Sequence, residues 1–153
     1  MLLNKILYMK SILIVLVFLV VWLVMAQSCL KLRISDNTAI KEFNKEGVNL
    51  FIKNILVNKR ILHYVISGND TAPTILFVHG SPGSWDAFKE YLKDKDLIKK
   101  YRLVAIDRPG FGYSNFGQAL NLSDESIIIS PLLQQLKNGK PIYLVGHSLG
   151  GLL

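Results

Sequence analysis

Gly146-His147-Ser148-Leu149-Gly150 places one serine between two glycines at the spacing G-x-S-x-G. A serine hydroxyl is a weak nucleophile until a base takes its proton and amide donors receive the charge that develops on the attacked carbonyl. The spacing suits a sharp strand-to-helix turn that exposes the hydroxyl. Side chains at 146 and 150 would collide there, so glycine is needed at both places. Pro141-Ile142-Tyr143-Leu144-Val145 supplies the strand immediately before. The helix that follows points its N-terminus at the site. A second loop, His79-Gly80-Ser81-Pro82-Gly83, follows the short apolar run Thr74 to Val78. Acyl transfer needs two N–H donors, one from the residue after the nucleophile and one from such a loop. These are Leu149 and Ser81, since Pro82 carries no N–H. Losing one donor of this kind costs about 2.7–4 kcal/mol of transition-state stabilisation. His79, Gly80 and Gly83 are the supporting members of the loop.

The elements that must hold these loops are readable from apolar patterning. Ala39, Ile40 and Phe43 make one short helical face ending at Gly47. Leu50 to Val57 and Arg60 to Ser67, joined by Asn58-Lys59, read as a β-hairpin. Thr74 to Val78, Leu103 to Ile106 and Ile142 to Val145 are short apolar strands. Ser84 is placed to cap a helix through Phe88 and Leu92, and Ser123 to Leu136 reads as a helix bent or restarted at Pro131. A further helix should begin near Leu149. A hairpin followed by strand–helix alternation implies an α/β fold: a sheet parallel after its first strands and covered on both faces.

The chain has 153 residues and a formal net charge of +7. Its densest basic run, Lys89 to Arg102, alternates with Glu90, Asp94 and Asp96, which describes a solvated helix and loop rather than a one-signed nucleic-acid face. His63, His79 and His147 lack metal-ligand spacing, and the single Cys29 excludes a disulfide framework or cysteine zinc cluster. No cofactor or metal is expected. His63 reads as a partly exposed strand residue. The side chain of His147 should point to the other side of the turn from Ser148.

Lys5 and Lys10 precede the uncharged window Ser11 to Leu30, which is 20 residues long. As a helix it would reach about 30 Å, the thickness of a bilayer core. Residues 11–30 are therefore expected to target the chain to a membrane, with the remainder outside the cytoplasm. An uncleaved anchor, a lipoprotein modified on Cys29 and a cleaved signal are the three forms. Met25-Ala26-Gln27-Ser28-Cys29 is a loose version of the bacterial lipoprotein box. The expected organisation is a targeting segment 1–30, a linker 31–48 with a short helix, and a domain 49–153.

His79 to Trp85, Asp107-Arg108-Pro109-Gly110-Phe111-Gly112-Tyr113-Ser114 and Gly146 to Gly151, in that order and at strand ends, resemble the α/β-hydrolase fold superfamily. The resemblance covers roughly Asn49 to Leu153. It implies Ser148 as nucleophile, an oxyanion hole from Ser81 and Leu149, and Asp107 as a loop-shaping residue rather than the triad acid. The related epoxide hydrolases and haloalkane dehalogenases place aspartate at the nucleophile position. Serine there implies acyl transfer on an ester, amide or other acyl substrate. In this fold the triad acid and histidine follow the nucleophile, whereas only five residues follow Ser148. The chain is thus expected to be the N-terminal half of such a domain, ending just after the nucleophile elbow and inactive alone. A membrane-tethered non-catalytic binding protein and an inert truncated product are the alternatives. The substrate and oligomeric state are not encoded in these motifs.

Overall fold

A computed structural model describes residues 2–29 and 33–153, with residues 2–9, 11 and 25–29 described by backbone alone. Met1 and Leu30 of the expected targeting segment, and Lys31 and Leu32 of the expected linker, lie outside the described residues. The N-terminal stretch is one helix, α1 (Leu2–Cys29). Its described apolar side chains, Ile12 to Val24, are all exposed. Counting described residues only, no helix is long and apolar enough to cross a membrane. Residues 33–153 form a unit of their own.

That unit is built on a sheet of five described strands in the order β1-β2-β4-β3-β5. The hairpin strands β1 (Phe51–Val57) and β2 (Arg60–Gly68) pair antiparallel with Val57 opposite Arg60. Both turn residues, Asn58 (φ 49°) and Lys59 (φ 65°), are left-handed, as a two-residue hairpin turn matched to strand twist requires. β2 pairs antiparallel with β4 (Arg102–Ile106), and β3 (Thr74–Val78) lies parallel between β4 and β5 (Ile142–Gly146). The expected α/β sheet, parallel after an initial hairpin, is what forms.

Alternation along the strands sends side chains to two cores. Val65, Phe77, Leu103 and Ala105 join Ala39 and Phe43 of α2 (Asp36–Lys45), together with Trp85, Phe88 and Leu92. Leu62, Tyr64, Leu76, Val78, Val104 and Ile106 pack on the opposite face against Ile128, Ile129 and Leu132 of the later helix Leu122–Gln135. Ser35 caps α2, its Oγ accepting the Thr38 N–H at 3.3 Å.

Three expectations change in the structure. Trp85–Phe88 is a single 3₁₀ turn before α3 (Lys89–Lys93), and no hydrogen bond from the Ser84 side chain caps it. The Trp85 N–H is instead accepted by Asp107 Oδ1 at 2.7 Å, so a residue remote in sequence does the capping. The charged run 89–102 is not solvated throughout. It divides into α3 and α4 (Lys95–Lys100) at Asp94, and Lys93 is 93% hidden against Glu42, Glu46 and Glu90. Hydrogen bonds to these carboxylates, Glu46 foremost, raise the Lys93 pKa despite its burial. The expected helix near Leu149 is a 3₁₀ turn, Ser148–Leu152, whereas the helix expected around Pro131, now α5 (Leu122–Gln135), forms and contains Pro131 without restarting there.

β5 is the outer strand, paired with β3 alone among the described residues. Tyr143, Leu144 and Val145 are 50%, 60% and 41% exposed, so both faces of an apolar edge meet solvent. Such an edge templates intermolecular pairing. For the 153-residue chain, Leu144→Lys should markedly lower the light scattering that accompanies refolding; unchanged scattering would show that β5 does not nucleate association.

Candidate active site

The site is created by strand register. β3 and β5 run parallel with Val78 opposite Gly146, so the residues after each leave the sheet at the same end, side by side. The His147 N–H then bonds the Val78 carbonyl at 3.0 Å, extending the pairing by one residue. Ser148 follows with φ +52°, a left-handed conformation that a non-glycine residue adopts at an energetic cost. Its side chain is exposed. The turn closes through the Gly150 N–H on the His147 carbonyl, at 3.0 Å.

Space explains both glycines. A Cβ on Gly146 would sit 2.4 Å from the Gly150 carbonyl oxygen, and one on Gly150 would sit 2.3 Å from the Val78 carbonyl oxygen. The elbow must therefore be bare at both positions to fold back on itself and against the end of β3. The second loop abuts it. A Cβ on Gly80 would stand 3.0 Å from the Ser148 Cβ, 3.1 Å from the His147 oxygen and 3.3 Å from His147 Nδ1. Both His147 and Ser148 thus border Gly80. Ser81 is exposed, and Leu149 is half-buried beside a hollow of about 320 Å³ shared with Arg108, Phe111 and Phe116. Gly83 sits under the loop, where a Cβ would approach His79 Nδ1 to 3.1 Å.

Beneath the loops lies a buried polar cluster. His79 is fully hidden. Its Nε2 accepts the Arg108 N–H at 3.0 Å, which assigns the ring proton to Nδ1, and that proton goes to the Gly80 carbonyl at 2.6 Å. Burial lowers the pKa of His79, opposed by its bond to Gly80, so the neutral ring is the favoured form. Asp107, also fully hidden, accepts the Trp85 N–H on Oδ1 and, on Oδ2, the Tyr113 N–H at 2.8 Å and His63 Nδ1 at 2.9 Å. His63 is therefore not a partly exposed strand residue. It is 2% exposed, because the Asp107 carboxylate and the Tyr113 ring, 5.2 Å away, draw it inward. Its Nε2 faces Asp36 Oδ1 at 3.6 Å, and neither atom has a hydrogen-bond partner among the described residues. Arg108 is 1% exposed and grips Glu125 of α5 with two prongs, Nε to Oε2 at 2.8 Å and an Nη to Oε1 at 3.0 Å.

All three hydrogen bonds that the Asp107 carboxylate accepts, from the Trp85 and Tyr113 amides and the His63 ring, tie it into this cluster. The described residues hold no group of three or more metal-ligating side chains. Cys29 is the last residue of α1, described by backbone alone. The Arg108–Glu125 pair carried no signal in the sequence, where Glu125 was one more polar residue in a helical run.

Residues 73–153 match the family model described as alpha/beta hydrolase fold. The chain belongs to this family. Among its relatives, epoxide hydrolase 1 of Caenorhabditis elegans is 36% identical over 102 residues, 65% of this chain and 24% of that protein. Epoxide hydrolase 3 of Xenopus tropicalis is 37% identical over 94 residues, 60% of this chain and 25% of that protein. The chain thus spans about a quarter of the length of these curated relatives. Among solved structures, the Cif epoxide hydrolase from Acinetobacter nosocomialis is 26% identical with a TM-score of 0.60, covering 76% of this chain and 39% of that one. The thioesterase domain from the curacin biosynthetic pathway is 25% identical with a TM-score of 0.61, covering 67% of this chain and 37% of that one.

The lowered pKa of His79 has a consequence for stability. An unfolded histidine takes up a proton near pH 6.5, whereas the folded ring resists it. The unfolded state then binds more protons just below that pH, so stability falls as pH drops through about 6.5 and levels off below the folded pKa. Urea midpoints measured from pH 8 to 5 should decline, and His79→Gln should flatten the decline; an unchanged slope in the variant would exclude His79 as its source.

Proposed function

We propose that this hydrolase-family chain carries the nucleophile of a serine acyl hydrolase, with Ser148 attacking an ester, amide or other acyl carbonyl. One observation carries the reading: an exposed serine at φ +52° on a glycine-flanked turn, with the Gly80 backbone against it. In this mechanism Ser148 Oγ adds to the carbonyl carbon as its proton passes to a histidine. The Ser81 and Leu149 N–H groups receive the oxyanion. The leaving group departs with that proton, and water then releases the acyl group from Ser148. The family order puts the triad acid and histidine after the nucleophile, so they belong to the complete polypeptide rather than to residues 149–153. The buried pairings of His63 and His79 with Asp107, Arg108 and Gly80 argue against either histidine as the base.

Epoxide opening is the second reading, favoured by the names of the 36% and 37% identical relatives. The atom at position 148 argues against it. A carboxylate that opens an epoxide forms an ester, which water can cleave. A serine hydroxyl would form an ether, from which water cannot release the product. The serine at 148 is therefore matched to carbonyl substrates.

Polypeptide expressed from the complete reading frame should be labelled by a fluorophosphonate probe in the wild type and spared in Ser148→Ala. Equal labelling would remove Ser148 as nucleophile, and no labelling of either would favour a non-catalytic binding protein.

We further propose that α1 holds the domain at a membrane outside the cytoplasm. Its 28 residues would reach about 42 Å as a helix, and its described apolar side chains are exposed. Mass measurement of the mature N-terminus should retain Met1 for an anchor. A chain beginning at lipid-modified Cys29 would indicate a lipoprotein, and an unmodified start within residues 26–33 would mean a cleaved signal and exclude the anchor.

A further inference from the structure

The Arg108–Glu125 pair lies behind the proposed oxyanion loop, and its geometry bears on how that loop is aimed. The Gly80–Ser81 peptide is trans, since Ser81-Pro82 is the cis bond recorded among the described residues. In a planar trans peptide the carbonyl of one residue and the N–H of the next point in opposite directions. Whatever fixes the Gly80 carbonyl therefore fixes the direction of the Ser81 N–H.

Two donors hold that carbonyl. His79 Nδ1 approaches it at 2.6 Å and Arg108 Nη1 at 3.4 Å. Arg108 also sets the His79 ring through its own backbone N–H on Nε2 at 3.0 Å. One residue thus reaches the His79–Gly80 unit twice, with its main chain and with its guanidinium. The guanidinium is itself directed by Glu125, at 2.8 and 3.0 Å, and lies 5.2 Å from the centre of the Phe111 ring. Arg108 and Glu125 are 1% and 6% exposed, so water does not compete for these bonds.

We propose that Glu125 and Arg108 are positioning residues for the oxyanion hole: with His79 they draw the Gly80 carbonyl inward and so turn the Ser81 N–H outward toward the substrate oxygen. This rests on the acyl-hydrolase reading of Ser148. A bidentate buried pair suits the task because it fixes orientation as well as distance. The pair also couples the loop to α5, one element away from the chemistry.

The test uses the complete polypeptide carrying Glu125→Gln, which keeps the shape and one acceptor, and Arg108→Lys, which keeps the charge and loses the fork. The expected result is a kcat on an activated ester at least about tenfold lower at unchanged KM, below the 10²–10³ lost with a whole donor. The Ser81 amide cross-peak in a ¹⁵N–¹H NMR spectrum should shift in the same variants. Should Glu125→Gln fail to fold, Arg108→Lys carries the comparison. A folded variant with wild-type kcat, KM and Ser81 resonance overturns the proposal. A pair that merely supports the fold would lower the melting temperature without separating kcat from KM, and that result also overturns it. Failure of the underlying reading looks different: wild-type and Ser148→Ala proteins would turn over equally, whatever happens at Glu125.

Discussion

The domain is organised around one buried carboxylate. Asp107, at the end of β4, accepts the Trp85 N–H, the Tyr113 N–H and the His63 imidazole from three separate segments. A carboxylate hidden from water is tolerable only when its oxygens are met by donors, and removing one donor leaves the others bonded to a group that has lost part of its compensation. The arrangement fixes the start of the turn at Trp85, the loop after β4 and the ring of His63 at once. Ser114 adds to it, its hydroxyl donating to the Asp107 carbonyl at 2.6 Å and accepting the His63 N–H at 2.9 Å. Loops that would otherwise be loosely tethered connections are thereby tied to the same end of the sheet.

On that base the elbow and the His79 loop meet. Their proximity follows from parallel pairing of β3 with β5, which brings two segments nearly 70 positions apart to the same sheet end. Glycine at 146 and 150 lets the chain double back without a Cβ driving into a carbonyl, and the left-handed turn at Ser148 puts the hydroxyl outside. The conformational cost at Ser148 is carried by the surrounding strand pairing rather than by local preference. Rigidity underneath and exposure on top are what a preorganised electrostatic site requires.

Membership of the alpha/beta hydrolase fold family agrees with this geometry, while the relatives' names point in two chemical directions. The fold hosts both chemistries, so the distinction lies in a single atom type at one turn. Under the proposed reading, a serine at 148 would form an intermediate that water can resolve only if the substrate carries an acyl group.

Much of the fold was legible because its signals are local. The Asn58-Lys59 turn, the alternation of the hairpin and the short apolar strands before each glycine-rich loop each reflect constraints within a few residues, and Gly146-His147-Ser148-Leu149-Gly150 encodes its own turn. Three readings failed because partners far along the chain decide them. His63 looked like a partly exposed strand residue until Asp107, 44 positions away, drew it inside. Lys93 looked solvated until Glu42 and Glu46 enclosed it. The Trp85 turn lacked the cap expected from Ser84, because Asp107 supplies it. The sequence alone determined which residue types could do chemistry and the turns that carry them, since sterics and hydrogen bonding act between neighbours. Only the tertiary structure decided which buried charges pair and which loops share an edge, since those energies depend on distances that chain order does not specify.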